Sequence, residues 1–188
     1  MKGHASPIKL TYDDFLLFPD DGRRHELIDG EHYVTLSPNT QHQRVSMALS
    51  YLLASWLEEH ALGEVFHAPY DIVLSEFDVV EPDLMYFSRE RARAALTDTH
   101  ARGAPELVVE ILSKGSRKRD VTLKMRLYER VGVDEYWIAD PVRDVVRVFR
   151  RVGATLARVA ELSGRTGDLL TTPLLPGFTL PLARLFRR

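Results

Sequence analysis

The sequence predicts an α/β (α+β) fold, a mixed central sheet flanked by helices with an N-terminal β-hairpin, and three observations lead there. Residues 106–139 read as strand, helix, strand with short links, the pattern of a parallel crossover. Residues 64–87 read as short strands in an antiparallel meander broken at Ser75-Glu76-Phe77-Asp78. Runs at His25–Ile28 and Glu31–Val34 flank Asp29-Gly30, a pair that accepts the positive backbone angles of a tight hairpin turn.

The elements follow in order. Thr11, with Asp13 and Asp14 in the next turn, opens a short helix over residues 11–18, since acids there complement the helix dipole. After the hairpin, Ser37-Pro38-Asn39-Thr40 starts a long helix to about His60. Val45, Leu49, Leu52, Leu53, Trp56 and Leu57 recur on its inner face. The strand run 79–87 leads to an Arg-rich helix at Ser88–Leu96 and a loop at 98–104. Residues 106–112 are a Val/Ile/Leu run of the kind covered on both faces. The next helix ends at Gly132, and Glu135–Ala139 is the second strand of the crossover. Strands at 145–150 and 156–161 follow, then an apolar, irregular tail around Leu174–Leu180.

At 188 residues, 45% hydrophobic and 28% charged, the chain suits one domain, 1–188, with a sizeable core. It has no cysteine, so thiolate metal sites and disulfides are excluded, and a cytoplasmic setting is expected. No stretch approaches the ~20 apolar residues of a membrane helix. A net charge of -2 gives no overall basic field for nucleic acid, although arginines cluster at 89–93, 117–119 and 187–188.

Three charged residues sit where the pattern wants apolar ones. Glu110 lies in the core strand, and Asp83 follows a proline that fits only near a strand's start or edge. Lys124 shares a helical stripe with Asp120, Leu123, Leu127, Tyr128 and Val131. A buried charge needs a partner, so two stranded carboxylates and one lysine suggest a common site. A structural network of Asp83 and Glu110 with arginines, or a lysine extending from the helix edge, is also compatible with the pattern.

In this arrangement the chain resembles the PD-(D/E)XK nuclease superfamily, with Pro82-Asp83 as its first motif. Where Glu-x-Lys is usual, Glu110-Ile111-Leu112 stands, and Lys124 takes the place of a lysine migrated to the next helix. The chain is more closely similar to the Uma-type putative restriction endonuclease family. That resemblance rests on Glu26-Leu27-Ile28-Asp29-Gly30-Glu31, Ser37-Pro38 with His42, Glu81-Pro82-Asp83 and Glu106–Ser113. It continues through Lys124 with Tyr128, Gly132–Trp137 and Leu175-Pro176-Gly177-Phe178. Ser113-Lys114-Gly115-Ser116 departs from the family's usual Ser-Pro-Ser and could put Lys114 near the site.

The resemblance implies a restriction-endonuclease-like fold and metal-dependent hydrolysis of DNA, and a homodimer is expected because cutting both strands of a duplex is easiest with two symmetric sites. Asp83 and Glu110 would be the ligands of Mg²⁺ or Mn²⁺, and Lys124 the catalytic lysine. Glu31 and His42 stand as second-tier candidates for an additional ligand and for substrate or metal contact. The rival reading is a catalytically silent nucleic-acid-binding or assembly module on the same fold. For single residues, His42 as an ordinary polar group at a helix start and Glu31 as part of the hairpin's solvent face are the plainer alternatives.

Overall fold

The computed structural model describes residues 8–187, apart from 36, 114 and 116, so the Lys114 expectation lies outside the described residues. Helix α1 (Tyr12–Phe15) is opened by a reciprocal capping box between Thr11 and Asp14. It is shorter than predicted, in keeping with Pro19, which disfavours helical geometry at the residue before it. Strands β1 (Arg24–Ile28) and β2 (Glu31–Thr35) form the expected hairpin. Asp29 and Gly30 have φ of 54° and 75°, which the turn requires. Helix α2 (Thr40–His60) is capped by the Asn39 side chain and buries Val45, Leu49, Leu53 and Leu57.

Strands β3 (Gly63–His67), β4 (Ile72–Ser75), β5 (Asp78–Val80) and β6 (Leu84–Ser88) depart from the single meander predicted for this stretch. The run 79–87 is two strands in two different sheets: β5 pairs with β1 and β4, and β6 with β3. Pro82 has no N–H to give to a ladder, and Glu81-Pro82-Asp83 is the crossing between the sheets. Asp83 therefore heads β6 rather than sitting inside a strand.

Helix α3 (Arg89–Ala95), capped by Ser88, and the short β7 (Ala101–Arg102) precede the buried strand β8 (Leu107–Ile111). Helix α4 (Arg117–Arg119) runs into a π-helical turn, Asp120–Lys124, and then α5 (Met125–Val131). Gly132, at φ 91°, stops α5. Strand β9 (Glu135–Asp140) lies parallel to β8, as the crossover pattern predicts. The remainder is β10 (Val145–Val152), β11 (Thr155–Ser163), β12 (Leu169–Thr171), β13 (Thr179–Pro181) and α6 (Leu182–Leu185). The tail is thus only partly irregular, because Thr179–Pro181 pairs with Leu169–Thr171.

Two larger sheets result. One is ordered β11-β10-β9-β8-β6-β3 and the other β2-β1-β5-β4-β7. On one face of the six-stranded sheet, Leu84, Tyr86, Leu107, Val109 and Ile111 pack against α2 and the tail residues Leu175, Phe178 and Leu180. Alternation sends Met85, Phe87 and Val108 to the opposite face, against Leu127, Tyr128 and the inner residues Ile28, Ile72 and Val80 of the five-stranded sheet. The outer face of that second sheet is covered by α1 through Leu27, Val73 and Val79. Among the described residues, no helix is long and apolar enough to cross a membrane. The crossing at 81–83 falls between the two sheets, and there the charged residues collect.

Candidate active site

Strand parity decides which side chains meet. On β8, Leu107, Val109 and Ile111 take the α2 side, so Val108 and Glu110 face the α5 side. On β1, Leu27 points outward to α1, which leaves Arg24, Glu26 and Ile28 on the inner face. The π-helical turn brings Asp120 and Lys124 to the buried side of the helix, and the Tyr136 hydroxyl donates to the Asp120 backbone carbonyl at 3.0 Å. These segments enclose a pocket lined by Glu26, Glu81, Asp83, Glu110, Asp120, Arg24, Arg119, Lys124 and His42. The exposures of Glu26, Asp83, Glu110 and Lys124 are 1%, 3%, 3% and 2%, so water screens none of them appreciably.

Lys124 Nζ lies 2.7 Å from Glu110 Oε1 and 2.7 Å from Glu26 Oε1. Glu110 Oε1 also accepts from the Tyr128 hydroxyl at 2.8 Å, and Glu26 Oε1 from the backbone N–H of Glu81 at 3.0 Å. Asp83 is held separately. Its Oδ1 accepts from Arg24 Nη1 at 2.8 Å, and its Oδ2 from the Ile111 N–H at 2.8 Å and from His42 Nε2 at 3.0 Å. Arg24 Nε lies 3.5 Å from Glu81 Oε1, an oxygen with no hydrogen bond of its own. Arg119 flanks the pocket, donating to Thr35 Oγ1 at 2.5 Å and lying 3.5 Å from Glu26 Oε2.

Five carboxyl groups thus face three permanent cations. Burial raises the pKa of Asp83, but the His42 hydrogen bond and charge and the Arg24 guanidinium outweigh it and hold the group at about 2. Burial pushes Glu110 up to about 8 although Lys124 opposes it, and burial pushes Glu81 up to about 7 against Arg24. Burial also works against charge on Lys124, yet Glu110, Glu26 and Asp120 together keep it protonated well above the ordinary lysine range. The pocket combines a firm anion, Asp83, and a firm cation, Lys124, with two carboxyls, Glu110 and Glu81, that burial makes harder to ionise.

A pH effect on stability follows. Glu110 and Glu81 titrate near 8 and 7 when folded and near the ordinary ~4.3 when unfolded, so between those values the folded chain binds the extra protons. Stability is full below the unfolded value and declines as pH rises through the folded ones. In chelator, the melting temperature is expected to fall between pH 5 and pH 8.5, with a smaller fall for Glu110→Gln. A melting temperature that rises over that range contradicts the assignment.

The structure brings Asp83, Glu110, Lys124 and His42 to one pocket. Glu31 is not among its lining residues: it is exposed on β2, opposite Ile28 in the hairpin ladder, and accepts from the Tyr33 hydroxyl at 2.7 Å. The acid that the hairpin contributes is Glu26. Its signal in the sequence was a carboxylate between His25 and Leu27 in a strand, the same cue that singled out Glu110. Arg24, Glu81 and Arg119 also went unselected, because arginines and acids beside a turn or a proline read as surface.

The donor set suits a hard divalent cation, which takes carboxylate oxygens, typically one or two, with water and phosphate completing the shell. Among the described residues, no three His, Cys, Asp or Glu side chains form a group that could hold a metal ion. Asp83 instead engages Arg24, His42 and the Ile111 N–H. The half-buried Arg24 guanidinium would therefore compete with a cation for the Asp83 carboxylate.

Known proteins share this architecture. A solved structure described as a putative nuclease belonging to DUF820, from Anabaena variabilis, superposes with a TM-score of 0.79 at 20% identity, covering 94% of this chain and 97% of that one. The fold is therefore the restriction-endonuclease-like fold, with mixed sheets flanked by helices. A search of curated proteins gives no match. Residues 12–183 match the family Uma2, described as "Putative restriction endonuclease", and the chain belongs to that family.

Proposed function

We propose that this protein is a metal-dependent endonuclease that hydrolyses phosphodiester bonds in DNA. Asp83 and Glu110 are the metal ligands and Lys124 is the catalytic lysine. The observation that carries this reading is the convergence of Asp83, Glu110 and Lys124, from a sheet crossing, a core strand and a π-helical turn, on one acid-rich pocket. Membership of a family described as putative restriction endonucleases supports the reaction class.

A bound Mg²⁺ or Mn²⁺ would neutralise phosphate charge and lower the pKa of an attacking water. The Ile111 N–H and His42 fix the direction of the Asp83 carboxylate. His42 acts through Asp83 and is a positioning residue. Glu110, which burial makes harder to ionise, would have to be ionised to hold that cation, so metal binding would release a proton there. Lys124, anchored between Glu26 and Glu110, orients the water or meets charge developing on the phosphate. Two copies about a two-fold axis would present one pocket to each strand of a duplex. Sedimentation equilibrium showing a dimer fits that arrangement, and a monomer limits the enzyme to nicking.

The engagement of both Asp83 oxygens by Arg24, His42 and the Ile111 N–H favours a second reading, the catalytically silent nucleic-acid-binding module. Cleavage of supercoiled plasmid separates the two. Cutting in Mg²⁺ or Mn²⁺ that chelator and Glu110→Gln both abolish is expected, and no cutting under any condition favours the silent module. Arg24 gives an independent check. Because it competes with a cation for Asp83, Arg24→Gln is expected to bind Mn²⁺ about tenfold tighter, ~1.4 kcal/mol, by calorimetry. Unchanged or weaker binding removes Arg24 from that role.

A further inference from the structure

The acid-rich pocket does not end at its own walls. Thr35, Ser113 and Arg119 also line a neighbouring cavity of ≈ 560 Å³, which Gln41 and Val142 in turn share with a cavity of ≈ 340 Å³. Through these shared residues the three lie side by side as a trough that passes the start of α2 and reaches Phe186 and Arg187. Its character changes along the way. Beyond the pocket the charged lining residues are Arg119 and Arg117, then Arg44 and Arg187, and among the described residues no acid lines either cavity.

Arg117 and Arg119 are engaged, with Asp140 at 3.0 Å and with Glu26 at 3.5 Å, as Arg91, Arg130, Arg147 and Arg150 are with acids elsewhere. Arg44 and Arg187 are exposed and make no ion pair among the described residues. An arginine held open in a concave, polar surface suits phosphate oxygens, which its planar fork can grip. The rest of the lining, with Thr35, Ser37, Asn39 and Gln41, offers hydroxyl and amide groups of the kind that contact phosphate and sugar without reading sequence.

We infer that this trough is the track along which one DNA strand runs away from the scissile phosphate, with its backbone phosphates against Arg44 and Arg187. The inference rests on the nuclease reading for its direction, but the binding it claims can be tested without cleavage. Val142, 65% exposed at the junction of the two cavities, gives that strand an apolar surface on which a sugar or base edge can rest.

The test is fluorescence anisotropy with short labelled DNA, single-stranded and duplex, on the Glu110→Gln protein, which binds without cutting. The paired change Arg44→Glu with Arg187→Glu is expected to weaken binding about a hundredfold at low salt, about tenfold per residue, and to reduce the salt slope by about 2. Arg93→Glu is the control. It lies on α3, which follows the end of β6 remote from Asp83, and is expected to change affinity by less than about twofold. Equal binding by the paired variant and its parent, an equal loss in the control, or no DNA binding by the parent overturns the track. Plasmid cutting by the native protein that the paired change leaves intact also overturns the track while the nuclease reading stands. Binding that the paired change weakens, from a protein that never cuts, supports the track and rejects the nuclease.

Discussion

Lys124→Met is expected to destabilise the protein by about 3–5 kcal/mol at pH 8. Methionine approximates the volume of the lysine stem, so the loss measures charge rather than a cavity. The reason is local: Lys124 is 2% exposed and is the shared partner of Glu26 and Glu110 at 2.7 Å each. Without it Glu110 can stay in the pocket only in its protonated form, which is easy at pH 5 and costly at pH 8. Denaturant titrations should therefore show a smaller loss at the lower pH. The same variant is expected to lose about 10²–10³-fold in cleavage rate, the usual size for removing one charge-stabilising group, while still binding Mn²⁺. Full cleavage activity in folded Lys124→Met would reject the lysine at this helix position as the catalytic one. A loss of stability equal at both pH values would reject its role as counter-ion.

Asp83→Asn and Glu110→Gln are expected to abolish metal-dependent cleavage, by about 10³-fold or more, and to remove the thermal stabilisation that Mn²⁺ gives the native protein. The two variants should differ in the metal-free state. Asp83 is a firm anion that accepts from Arg24, His42 and the Ile111 N–H, so its amide loses charge-assisted bonds, and stability falls by about 1.5–3 kcal/mol. Glu110 already favours its protonated form at neutral pH, and glutamine imitates that form closely, so Glu110→Gln is expected to be nearly neutral below pH 7. Equal destabilisation of both at pH 6 would mean that burial does not set the state of Glu110. Stabilisation by Mn²⁺ that survives both changes would place the metal elsewhere.

How much of this was legible beforehand depended on whether a residue's neighbours in sequence are also its neighbours in space. Glu110 and Lys124 could be paired from sequence because one interrupts an apolar strand and the other an apolar helical stripe. Two such charges of opposite sign on adjacent elements of a crossover have little choice but to meet. The hairpin at Asp29-Gly30, the long helix with its Val45-to-Leu57 face and the parallel pair of β8 and β9 were likewise dictated locally, by turn chemistry and by periodicity. The motif order from Glu26 to Phe178 pointed to the family that the match over residues 12–183 shows.

What the sequence could not decide was which way β1 faces and where the run 79–87 breaks. Both faces of β1 are covered, one by α1 and one by the six-stranded sheet's helices and strands, so no polar side marks the inward direction. Glu31, just past the turn, therefore looked as good a candidate as Glu26, although the ladder puts Glu31 in solvent and Glu26 against Lys124. Pro82 announced an interruption without saying that the two halves join different sheets. Only the tertiary structure set Arg24 on Asp83 and Glu81, because that contact spans 59 positions of chain to Asp83 and depends on the crossing of two sheets. Local patterns mark the buried face only where the other face is polar. Long-range strand pairing fixes which buried charges face one another, and that pairing is carried by backbone hydrogen bonds that any residue other than proline can make.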